Sequence, residues 1–140
     1  MLELVEKSLL LLGLFLCSWQ DWKKQIIYAI VPGLLSVMGI TLHIFLQNIS
    51  IWSMLGGMLL GGALLAIGRL TKEAVGFGDG MIFVLTGIYL GFWNNLELLL
   101  LTTGMAGIVA LFLLITKRRG RKDRLPMVPF VLCAYVVLLL

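Results

Sequence analysis

Two carboxylates stand where an apolar sequence has least use for them. Asp21 lies in CSWQDWKKQII, at the end of one hydrophobic run, and Asp79 lies in KEAVGFGDGMIFVLTG, at the mouth of another. A pair of carboxylates has a chemistry that neither has alone: one takes a proton from water while the other protonates a carbonyl oxygen or a departing amine. Close like charges in a poorly hydrated site cannot both ionise comfortably, so such a pair shares one proton near neutral pH. The plainer reading of Asp79 is an N-cap, its side chain accepting from the free amides of a helix that starts at Gly80 and suiting the positive end of the dipole. Gly76 and Gly78 go beyond what capping requires. They clear side chains next to the acid, so the backbone is free to take positive φ or to meet another chain closely. Tight helix packing is their competing use.

The elements that carry these acids are set by composition. Of 140 residues, 61% are apolar and 13% charged, far from the balance of a water-soluble domain. A hydrocarbon core of roughly 30 Å needs about 20 apolar residues per helix. Runs near that length fall at residues 2–20, 26–46, 51–69, 79–94, 97–116 and 126–140. The expectation is an all-α polytopic bundle of about six transmembrane helices forming one domain over 1–140. Continuous rather than alternating hydrophobicity argues against a membrane β-barrel. The first run reads as retained rather than as a cleaved signal, since Glu3 and Glu6 outweigh Lys7 where a positive segment belongs.

Basic residues fall in alternate loops: Lys23 and Lys24, then Arg69 and Lys72, then KRRGRKDR at 117–124, while QNIS and WNNLE have none. The positive-inside rule puts the basic loops in the cytoplasm, both termini outside, and Asp21 and Asp79 on the same, cytoplasmic side. Asn48 and Asn95 are then expected outside. The net charge of +4 is accounted for by topology and by a bilayer with anionic headgroups, and gives no support to nucleic-acid binding.

Other candidates are weaker. Cys17 and Cys133 have no metal-ligand spacing and read as buried, reduced thiols. His43 reads as an interface residue at the external end of its run, remote from both acids, and no metal site is expected. Glu73 reads as a loop carboxylate beside Lys72. Trp19, Trp22, Trp52 and Trp93 suit an aromatic belt, and Gly56, Gly57, Gly61 and Gly62 suit a helix-packing face.

GFGD at 76–79, ahead of an apolar helix, resembles the GxGD motif of intramembrane aspartyl proteases, specifically of the type IV prepilin peptidase family. Asp21 followed by Lys23 and Lys24 is similar to that family's first acid, and LPMVPF at 125–130 is similar to the opening of its last helix. Met81 stands where a Lys is common in the family, and no Ile-Pro follows Asp21. The resemblance implies an aspartic endopeptidase in a bacterial plasma membrane, with Asp21 and Asp79 catalytic and Gly76 and Gly78 beside the substrate backbone. It implies prepilin-like precursors as substrates, of the kind used in type IV pili and protein secretion, cut after a basic leader at the cytoplasmic face, without a cofactor. The cysteine-bearing loop of larger members is missing, so no methyltransferase activity is expected. The rival reading is a small transporter or assembly factor using the two acids as a proton relay or as helix-pairing groups. For a peptidase, helix polarity assigns the resting proton to Asp21, near the carbonyl end of its helix, and the base role to Asp79. Lys23 and Lys24 argue the other way.

Overall fold

The computed structural model describes residues 1–24, 30–47, 49–70, 77–116 and 128–139. These form α1 (Leu2–Lys24), α2 (Ile30–Leu46), α3 (Ile51–Leu70), α4 (Phe77–Ile115) and α5 (Val128–Leu139), with no strand among them. The helical runs follow the apolar runs, with shifted ends. α1 continues through Asp21 to Lys24, and α4 opens at Phe77, so Asp79 sits in its first turn rather than at an N-cap before Gly80. Ser50 does cap its helix, its hydroxyl accepting from the Ser53 amide at 3.1 Å.

The main departure from the sequence reading is at WNNLE, which is helix and not a loop. α4 counts 39 residues and, if straight, would be about 58 Å long, nearly twice a hydrocarbon core. It breaks at Gly91, whose φ of 80° and ψ of −176° lie in a region open essentially to glycine alone. The chain folds back there. Asn95 Nδ2 donates to the Phe83 carbonyl at 3.1 Å, although twelve residues of straight helix would separate them by about 18 Å. Asn95 is helical and fully buried, which corrects its assignment to a loop. Its Oδ1 accepts from the Thr86 hydroxyl at 2.6 Å, and Nδ2 also donates to the Gly57 carbonyl at 3.1 Å. One amide thus joins α3 and both limbs of α4, 77–90 and 92–115. The second limb's opening amide, on Phe92, finds Ser53 Oγ of α3 at 3.1 Å.

α3 runs antiparallel to the first limb of α4, with Gly57 on Gly87, Gly61 on Val84 and Leu65 on Gly80. The backbones touch: a Cβ on Gly57 would lie 2.7 Å from the Gly87 carbonyl oxygen. Gly56 meets Phe92, whereas Gly62 has nothing within 4 Å, so three of the four glycines form the packing face. α1 and α2 are antiparallel, Gly13 meeting Leu35 and Glu6 meeting His43. α1 and α5 are antiparallel as well, Asp21 meeting Val128 and Lys7 meeting Tyr135. The segments therefore alternate in direction. The ends of α1 and α3 and the starts of α2, both α4 and α5 share one pole, called here the aspartate pole.

The surface is largely apolar, and the interior, itself mostly apolar, also holds polar groups. Phe15, Leu34, Phe45, Trp52, Leu70, Ile108 and Phe112 are exposed, while Glu6, Asp21, His43, Thr86, Asn95 and Thr102 are buried. Water would reverse that distribution. Ile51–Leu70 and Asp79–Ile115 are long and apolar enough to cross a membrane, the latter counted through its break. Trp19, Trp22, Trp52 and Trp93 are all exposed, as an aromatic belt requires. Cys17 is buried and Cys133 exposed, so burial holds for one thiol only. His43 is no interface residue: it is buried, with Nδ1 3.7 Å from Glu6 Oε1 and its ring edge-on to Tyr89.

Gly91→Ala forces a side chain into a glycine-only conformation and puts its Cβ 2.5 Å from Ser53 Oγ. Destabilisation of at least about 1–3 kcal/mol is expected from the backbone alone. Asn95→Ala is expected to cost on the order of 1–2 kcal/mol, and Gly62→Ala to stay within about 0.5 kcal/mol of the parent. Denaturation midpoints in detergent measure all three.

Candidate active site

Asp21 belongs to the last turn of α1, where the apolar run gives way to DWKK. Its side chain faces inward and the residue is 7% exposed. Burial of a carboxylate is costly unless donors meet it, and α5 supplies one: the Val128 amide donates to Asp21 Oδ2 at 3.1 Å. Val128 is the first residue of α5, where an intrahelical partner for the amide does not exist. One turn back along α1, Cys17 is buried in the same core cluster as Val128, Ile82 and Phe83. Lys23 turns away from this interior, its Nζ 4.7 Å from the ring centroid of exposed Trp19, a cation–π contact of about 0.5–1 kcal/mol at such a site.

Asp79 enters from α4. It is half-buried, in the first turn, one turn ahead of Ile82 and Phe83, which are buried in that same cluster. The helix dipole and its free first-turn amides favour an acid there. Gly80, the next residue, lets α3 come close, since a Cβ on it would lie 2.6 Å from Leu65 Cδ2 and 3.1 Å from the Leu65 amide nitrogen. Gly80 is thus a site glycine that the GxGD reading passes over. Gly78 lies in the first turn of α4. Gly76, Glu73, Lys72 and the basic 117–124 segment lie outside the described residues.

Both acids therefore occupy the aspartate pole, on helices of opposite direction, each at a helix end. The sequence missed the contribution of α5. The signal was present in LPMVPF, where Pro126 and Pro129 have no amide proton and Met127 and Val128 are the only donors between them. The carbonyls at the end of α1 favour a proton on Asp21, and the Val128 amide opposes them. Among the described residues, no three His, Cys, Asp or Glu side chains converge as a metal site requires.

Comparison with known proteins adds one finding. Curated proteins and solved structures give no match, but the model of the type IV leader peptidase family matches residues 8–115. That stretch spans most of the chain and contains both acids, the Gly91 reversal and the α3–α4 contact. By this match the chain belongs to the type IV leader peptidase family.

Proposed function

We propose that this peptidase is a multi-pass aspartic endopeptidase in which Asp21 and Asp79 act as one acid–base pair. Its substrates are prepilin-like precursors, cut between a basic leader and an apolar helix at the cytoplasmic face of the bacterial plasma membrane. The observation that carries the reading is that Asp21 and Asp79 each stand at a helix end at one pole of a bundle with an apolar exterior, Asp21 being 7% exposed. Intramembrane acids are expensive, and their default explanation is function.

The chemistry needs only these groups and water. One carboxylate takes a proton from water as the water oxygen bonds to the scissile carbonyl carbon. The other, protonated at the start, gives its proton to the carbonyl oxygen, producing a neutral diol. On collapse the first returns its proton to the amine nitrogen as the C–N bond breaks, and the second recovers a proton from a diol hydroxyl. Both acids end as they began. Gly76 and Gly78 give the substrate backbone room beside Asp79. Lys23 and Arg69, near helix ends at the same pole, suit anionic lipid headgroups, and no part of the cycle calls for a cofactor or methyl donor.

A proton-relay reading would use the buried Glu6–His43 pair at the opposite pole, which sequence inspection did not identify. Against it, the buried cluster between the poles is mostly aliphatic, with Leu10, Leu14, Ile82, Leu85 and Val131, and the hydroxyls of its Tyr89 and Tyr135 are donated to the Leu35 and Lys7 carbonyls. A relay needs polar steps across that span.

Asp21→Asn and Asp79→Asn keep the shape and remove the acid–base group. Each is expected to lower cleavage of a basic-leader precursor by about 10²–10⁴-fold with insertion unchanged, read by mass measurement of the product's N-terminus. Near-parental rates in either would defeat the pair. Topology is tested by cysteine labelling in a background lacking Cys133. Positions 24, 72 and 119 are expected to label from the cytoplasm, and positions 48 and 93 from outside.

A further inference from the structure

The hydrogen bond between α5 and Asp21 has a use in the reaction. We propose that the backbone amide of Val128 is a positioning group for the Asp21 carboxylate, holding it as an acceptor so that Asp21 starts the cycle as the base and Asp79 as the proton holder. This rests on the pair mechanism above.

Three observations place the amide there. The contact is long-range, 107 residues apart in the chain, and buried, with Val128 N 3.1 Å from Asp21 Oδ2. Both residues are themselves buried, Val128 completely. The second contact between the same helices, Tyr135 hydroxyl on the Lys7 carbonyl at 3.3 Å, ties α5 to α1 near its other end and fixes its register against α1. The donor is also hard to replace from the next residue, because Pro129 has none. An amide donor strengthens when its acceptor is ionised. It therefore engages the charged form of Asp21 more strongly than the neutral form, which works against the first-turn amides that favour charge on Asp79 and draws the shared proton toward the partner acid. α5 begins beyond residue 115, where the family match ends, so the donor of this contact lies outside the stretch by which the family is identified.

Val128→Pro deletes the proton while keeping a similar volume, and proline is well tolerated at the first helical position. Expected are a kcat about 10- to 100-fold lower, KM within about threefold, and an acidic limb of the kcat–pH profile displaced to higher pH. Val128→Ala, which keeps the amide, recovers the parental acidic limb. A folded Val128→Pro protein with parental kcat and pH profile overturns the proposal, and so does a Val128→Ala profile displaced as far as the proline one. Asp21→Asn, assayed in parallel, separates the two levels: activity in that variant defeats the pair itself, whereas its inactivity beside a normal Val128→Pro defeats only the positioning role. Should the proline variant not fold, the amide is read directly in valine-labelled ¹⁵N protein. The Val128 proton resonance is expected to move upfield in Asp21→Ala, and an unmoved resonance rejects the contact.

Discussion

The arrangement depends on the reversal at Gly91. α4 counts too many residues to cross a bilayer once, and a glycine-only backbone there turns it into two limbs. The direction of everything after it follows. The second limb returns toward the aspartate pole, so α5 starts at that pole and its first amide reaches Asp21. Without the reversal, α5 would begin at the far end, and Asp21 would lose a donor that helps to offset its burial. The amide of Asn95 secures the turn by taking carbonyls from both α3 and the first limb, while Ser53 satisfies the new helix start. Such bonds have few competitors in an apolar surround.

The close α3–α4 contact is the second constraint. Gly57 on Gly87 and Gly61 on Val84 let two backbones touch, and association in lipid relies on such packing because burying apolar surface gains little there. Gly80 continues the row to the residue beside Asp79. The second acid is thereby positioned by the same small-residue seam that holds the hairpin. The site and the packing face are one structure, which explains why glycines are dense near Asp79 without each having a chemical role.

Much of this was legible from residues alone. Apolar runs gave the helices, Asp21 and Asp79 fell at helix ends as their runs suggested, and the exposed tryptophans fell at run ends. What was not legible has specific causes. WNNLE looks like a loop because two Asn and a Glu interrupt the hydropathy, yet Asn95 is polar on account of an internal hydrogen-bonding duty. His43 looks like an interface residue because its partner, Glu6, is 37 positions away by number and meets it only once α1 and α2 pair. Asp79 reads as a cap because helix starts are uncertain by a residue or two, and that shift moves it into the first turn. Val128 is invisible by composition, since its contribution is a backbone proton.

The account's central claim is that Asp21 and Asp79 function as one unit. The most direct measurement is a double-mutant cycle on the residual cleavage rates of Asp21→Asn, Asp79→Asn and the combined variant, using purified protein, long incubation and mass detection of the new N-terminus. Groups sharing one proton and one transition state are grossly non-additive. The combined variant should therefore be about as slow as either single one. Losses that multiply, so that the combined variant falls by the product of the two single effects, would show two independent contributions and contradict the pair.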